Sequence, residues 1–88
     1  MKHDEIYKLL KELAEKLDIL FYEKNFRVPG LVVKSGLCRI EGRWHYYMDK
    51  HVKLREKTEL LAQAISSFPL DSLYIVPVLR DYIEKNKS

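Results

Sequence analysis

The 88-residue chain contains one cysteine, three prolines and three glycines, and these scarcities exclude several classes of protein. Because Cys38 stands alone, no disulfide can form within the chain, whereas secreted domains of this size usually carry several. The three glycines match neither a dinucleotide-binding GxGxxG motif nor a phosphate-binding loop. No apolar run approaches the roughly 18 residues of a membrane span, and the first residues do not form a secretion signal. We therefore expect a cytoplasmic protein that does not enter the membrane.

Composition places the chain among small globular domains. Apolar residues form 47% and charged residues 33% of the sequence, which is too apolar for intrinsic disorder. The length fits one domain over residues 1–88, and a chain this short buries only a thin core. Six Tyr, three Phe and one Trp exceed what a thin core needs, so we expect some rings to lie half-exposed beneath a partner. A homodimer would serve this purpose.

Hydrophobic periodicity predicts an α+β fold. Three helices are expected, over residues 4–17, 54–67 and 77–85. Three strands are expected between the first two helices, over residues 19–23, 37–40 and 43–48, with a loop or short strand in the interval up to residue 33. This order, helix-strand-hairpin-helix-helix, predicts a small antiparallel sheet of about three strands packed against two to three helices.

The register of the hairpin stays open at this point. A two-residue turn at Glu41 and Gly42 sets Cys38 opposite His45, whereas a three-residue loop with a bulge at Gly42 sets Cys38 opposite Trp44. The difference matters because a shift of one residue moves a whole face of a strand from the core to solvent.

Catalytic chemistry has few candidates. Cys38 with His45 or His51 is the one nucleophile–base combination, but a strand offers no helix N-terminus to lower the pKa of a thiol. A zinc site built from Cys38, His45 and His51 is also not expected, because zinc sites typically contain closely spaced cysteines and this chain has one cysteine. No carboxylates are paired for acid–base work. We therefore expect no catalytic residue, no metal and no cofactor, and we interpret the chain as a protein that is not an enzyme.

A mildly basic segment is the better functional candidate. Residues 34–57 carry seven basic and three acidic side chains, a net charge of +4, interleaved with aromatic rings. Platforms for single-stranded nucleic acid combine cations and rings in this way, although alternation would split these residues between the two faces of a strand. We expect protein–protein contact or self-association first, with nucleic-acid binding as the alternative. The candidate contact residues are Lys34, Arg39, Arg43, Trp44, Tyr46, Lys50 and Lys53.

The stretch from residue 35 to residue 67 resembles a known family. Residues 35–39 read Ser-Gly-Leu-Cys-Arg, Gly42 marks a turn, the next strand ends in Asp49, and the following helix holds Leu61 and Ala62. This layout is similar to the core of the ImmA/IrrE-type zinc metallopeptidases, in which such strands precede a helix with an L-A-HExxH motif. It also resembles a group of small bacterial proteins of unknown function. The resemblance implies a helix packed on a curled antiparallel sheet.

The same resemblance does not imply peptidase activity. Gln63 and Ser67 stand where the family has its zinc-binding histidines, and Ala64 stands where it has its catalytic glutamate. None of these three side chains can bind zinc in that role or activate a water molecule. The resemblance thus describes a degenerate relative, whose site for chemistry is missing.

Overall fold

The structure is a computed structural model that describes residues 1–25 and 35–87. Its helices are α1 (His3–Lys16), α2 (Leu54–Ile65) and α3 (Pro77–Lys85), and its strands are β1 (Ile19–Lys24), β2 (Ser35–Ile40) and β3 (Arg43–Asp49). The predicted α+β class and the order of elements are confirmed, with boundaries within two residues of those expected. The expected loop or short strand at residues 26–33 lies outside the described residues.

Helix α1 forms because its apolar residues recur on one stripe. Ile6, Leu10 and Leu13 are buried along that stripe. The acidic residues in the first turn and Lys16 in the last turn interact favourably with the helix dipole. The helix ends where Asp18 takes a left-handed conformation, with φ of 62°, and the chain turns directly into β1. Helix α3 begins at Pro77, whose fixed φ suits the first helical position.

The sheet is mixed, which corrects the antiparallel sheet expected from the sequence. The strand order is β1-β3-β2; β2 runs antiparallel to β3, but β1 runs parallel to it. A simple antiparallel meander would place β2 in the centre. The central place goes instead to β3, whose Tyr46 and Met48 are 2% and 0% exposed, because the central strand is the one best covered by the helices.

A two-residue turn closes the hairpin. Glu41 has φ of 50° and Gly42 has φ of 81°, as a type I′ turn requires. The register pairs Ile40 with Arg43 and Cys38 with His45. This decides between the two registers left open by the sequence.

The core lies between the helices and one face of the sheet. It comprises side chains of α1, α2, α3, β1 and β3, and the largest fully buried side chains are those of Leu10, Met48, Leu61, Ile65 and Thr58. Thr58 is the buried polar residue, and its hydroxyl donates a hydrogen bond to the Leu54 carbonyl at 2.7 Å. Among residues 1–25 and 35–87, no helix has the length and hydropathy needed to cross a bilayer.

Candidate protein-interaction surface

The sheet has a helix side and a second side that none of the helices in residues 1–25 and 35–87 covers, which we call the open side. Because side chains alternate along a strand, the register places Phe21, Tyr46 and Leu37 together on the helix side, where all three belong to the core or pack against it. The open side carries Leu20, Tyr22, Cys38, His45 and Tyr47, none of which belongs to that core cluster. Half-exposed aromatic rings, expected from the composition, lie on this open side.

Three rings on the open side stack on one another. The centroids of Tyr22 and Tyr47 are 5.0 Å apart with planes at 16°, and those of Tyr22 and His45 are 5.9 Å apart with planes at 6°. The planes of these rings are therefore nearly parallel, and the Lys24 ammonium lies over the Tyr22 ring, 5.7 Å from its centroid.

Cys38 and His45 are cross-strand neighbours but do not form a paired thiol and imidazole. The thiol is exposed, and the His45 Nδ1 atom is buried without a hydrogen-bond partner in the described part of the chain. His51 is occupied elsewhere, since its Nδ1 lies 3.1 Å from Asp49 Oδ1. The described residues contain no group of three or more His, Cys, Asp or Glu that could hold a metal ion. The absence of enzyme activity stays a prediction.

The seven residues predicted to contact a partner do not share one surface. Tyr46 is 2% exposed and belongs to the core, which corrects its assignment as a contact residue. Arg39 and Trp44 lie on the helix side, where Trp44 packs edge-on against Phe68. Arg43 lies on the open side, where its guanidinium pairs with the Asp18 carboxylate at 2.9 Å. Lys50 and Lys53 are exposed between β3 and α2, and Lys34 lies outside the described residues.

The outer edge of β2 is a feature that the sequence analysis missed. The residues that flank a two-residue turn, here Ile40 and Arg43, form a pair joined by backbone hydrogen bonds. Along the ladder, hydrogen-bonded pairs then alternate with pairs that are not hydrogen-bonded. The backbone groups of Ile40, Cys38 and Gly36 therefore point toward β3. The backbone groups of Leu37, and of the residues two positions before and after it, point away from β3. The absence of proline and lysine from residues 35–40 is the sequence feature that could have indicated this edge.

A polar network joins α1, α2 and the sheet at the end of β1. The Tyr7 hydroxyl donates a hydrogen bond to Glu23 Oε1, and the Lys57 ammonium lies 3.2 Å from Glu23 Oε2. Burial, followed by the bond to Glu23, raises the pKa of Tyr7 well above its usual value. The ammonium of Lys11 also lies over the Tyr7 ring, 4.7 Å from its centroid. These groups satisfy one another, so we assign the network to stability.

The residues at the metallopeptidase-like positions lie on and just beyond α2. Leu61 and Ala62 are buried in the core, Gln63 is exposed, and Ala64 is half-buried. Ser67 follows the end of the helix, and its hydroxyl donates to the Ala64 carbonyl at 2.7 Å. Comparisons of the chain with protein-family models, curated proteins and solved structures find no match. The resemblance stays a prediction.

Proposed function

We propose that the protein acts through protein–protein contact, including self-association, at the outer edge of β2. The observation that carries this proposal is a strand of six residues whose outward backbone groups meet no strand in residues 1–25 or 35–87. Unpaired peptide groups on an edge strand are ready to bind another strand, so natural proteins usually protect them. The common protections are proline, lysine, a bulge or a very short strand.

Strand β2 lacks these protections. It contains neither proline nor lysine, and it pairs with β3 along its whole length without a bulge. Arg39 is its one charged residue, and the guanidinium lies over the Trp44 ring, 5.6 Å from the centroid, instead of extending along the edge. Cys38 and Ile40 are exposed beside the edge on the open side. The strand therefore offers both hydrogen bonds and apolar contacts to a partner strand.

Nucleic-acid binding is the second candidate, and its residues are less well placed. Arg39 and Trp44 lie on one side of the sheet, Arg43 lies on the other, and Tyr46 is buried. Tyr22 and Tyr47 on the open side stack on each other, which occupies one face of each ring that a base could otherwise use. A binding titration with a single-stranded oligonucleotide tests this candidate. Phosphate contacts require affinity to fall as salt rises, and no binding at low salt excludes it.

Sedimentation equilibrium across the micromolar range tests the proposal. We expect the average mass to rise above the 10.5 kDa of one chain as concentration increases, and to fall back on dilution. A mass of 10.5 kDa at every concentration would contradict self-association. The micromolar range suits an interface formed by one pair of edge strands, because the cost of association offsets most of the contact energy.

Two substitutions at Leu37 locate the contact. Leu37→Pro removes an outward N–H and leaves the ladder with β3 intact, because the Leu37 N–H does not bond to β3. Leu37→Ala is the matched control, which shortens the same side chain but keeps the N–H. We expect Leu37→Pro to weaken association by about tenfold or more relative to Leu37→Ala, since each lost hydrogen bond contributes about 0.5–1.5 kcal/mol. Equal affinities would place the contact elsewhere.

A further inference from the structure

We infer that the strand bound at the edge of β2 is β2 of a second copy, antiparallel to the first and related to it by a two-fold axis at Leu37. This inference rests on the proposed function and names its partner. Three features of β2 support it: the backbone groups that point outward, the division of side chains between the two faces of the sheet, and the position of the one charge on the strand.

Strand β2 is complementary to itself about Leu37. The outward backbone groups belong to Ser35, Leu37 and Arg39, so they are spaced symmetrically around the central residue. An antiparallel copy centred there sets Leu37 opposite Leu37 of the second copy and Ser35 opposite Arg39 of the second copy. Every outward donor and acceptor then has a partner, which gives roughly six hydrogen bonds. A two-fold interface of this kind closes on itself and forms a dimer.

The alternative centre at Cys38 satisfies fewer groups. It pairs Leu37 with Arg39 of the second copy and sets Ser35 opposite Glu41, which lies in the turn with φ of 50° and is not part of the strand. The outward groups of Ser35 then have no strand partner, which leaves roughly four hydrogen bonds. The count favours the axis at Leu37.

Side chains and charge agree with the axis at Leu37. Leu37 is half-buried against the core, and in the dimer it gains the same apolar side chain from the second copy. Arg39 faces Ser35 of the second copy, so the two guanidinium groups do not oppose each other. A two-fold axis perpendicular to the sheet also keeps like faces together, because directly opposed residues point to the same side.

The resulting dimer has a continuous sheet. The two three-stranded sheets join edge to edge through β2, the helices of both copies lie on one side, and both open sides form one surface. Tyr22, His45 and Tyr47 of each copy lie on that doubled surface. Edge pairing thus gives each copy a partner for a strand edge that meets no other strand among the described residues.

A disulfide variant tests the axis. In the dimer centred at Leu37, residue 36 lies directly opposite Cys38 of the second copy in a pair without hydrogen bonds, where Cα atoms are about 4.5 Å apart. That distance permits a disulfide. The two Cys38 residues are diagonal neighbours about 7–8 Å apart, too far for one. A side chain at Gly36 meets open space, so Gly36→Cys is expected to fold.

The experiment compares three chains at a concentration where the wild type is associated. Each is oxidised with copper–phenanthroline and separated on a non-reducing gel. We expect Gly36→Cys to form a covalent dimer at least about tenfold faster than the wild type and than Gly36→Cys/Cys38→Ser, because only Gly36→Cys places two thiols in direct opposition. The double variant is the matched control for the new thiol alone.

Two results would overturn the inference, and the first of them leaves the proposed contact at the edge of β2 standing. Rapid cross-linking of the wild type would place the axis at Cys38. Association by sedimentation with no cross-link in any of the chains would place the second copy on another surface. A chain that stays at 10.5 kDa under all conditions would instead remove self-association itself.

Discussion

Replacing Glu23 with glutamine tests how the helices are fixed to the sheet. A glutamine amide still accepts a hydrogen bond from the Tyr7 hydroxyl, but the change removes the negative charge beside Lys57, whose side chain is 13% exposed. Exposed ion pairs contribute about 0.2–1 kcal/mol, and removing one partner of a fully buried pair costs about 3–5 kcal/mol. This pair lies between those limits, because the Glu23 side chain is 33% exposed. We expect Glu23→Gln to lower the free energy of unfolding by about 1–3 kcal/mol.

The loss depends on pH in a direction fixed by the pKa of Glu23. Burial, the largest single influence, raises that pKa, but hydrogen bonds from Tyr7 and Lys57 and the positive charge of Lys57 outweigh it and hold the pKa below its usual 4.5. A carboxylate with a lowered folded-state pKa stabilises the fold fully above its unfolded pKa and loses that contribution as pH falls through the folded value. The deficit of Glu23→Gln is therefore full at neutral pH and shrinks below pH 4.5.

Urea unfolding followed by the fluorescence of Trp44 measures this deficit at neutral and acid pH. Trp44 is the one tryptophan of the chain and packs against Phe68, so its emission reports loss of the fold. Glu15→Gln, an exposed change on α1, is the matched control and should leave stability within about 0.5 kcal/mol. Wild-type stability for Glu23→Gln at neutral pH, or a deficit that persists unchanged in acid, would refute the role given to the network.

Three further predictions concern the turn, the core and the edge. Glu41→Asn should stabilise the chain by up to about 1 kcal/mol in urea unfolding, because asparagine tolerates the φ of 50° better than glutamate; a loss of stability would contradict the type I′ turn. Ile65→Ala, at a fully buried site, should cost about 2–5 kcal/mol, and a cost within 0.5 kcal/mol would contradict the core. Leu37→Glu and Leu37→Lys should each abolish association alone and restore it when mixed, whereas Val78→Glu, an exposed control on α3, should leave it unchanged. No recovery on mixing would contradict the opposition of residue 37 with itself.

Local patterns made most of the fold predictable. The apolar stripe of α1 is continuous, so its helix follows from the sequence, and Pro77 marks the start of α3 at the correct residue. The hairpin was predictable in position because Glu41-Gly42 separates two alternating runs. Its register was not, since a type I′ turn places glutamate at positive φ, where the sequence would favour asparagine or glycine.

Long-range pairing could not be predicted from the same patterns. Nothing local to residues 19–24 shows that β1 runs parallel to β3, because strand direction is set by long-range pairing and not by the residues of the strand itself. Tyr46 fits a surface cation–aromatic pattern in sequence, yet the register turns its ring into the core. The network of Tyr7, Glu23 and Lys57 joins residues far apart in the chain, so no spacing rule could indicate it.

Amide hydrogen exchange, resolved by residue, tests the central claim most directly. In a single chain the N–H groups of Leu37 and Arg39 point away from β3, while those of Cys38 and Ile40 bond to it. If β2 pairs with a second copy, protection at Leu37 and Arg39 should rise with protein concentration, and protection at Cys38 and Ile40 should be present throughout. Rapid exchange at Leu37 and Arg39 at every concentration would contradict contact through this edge.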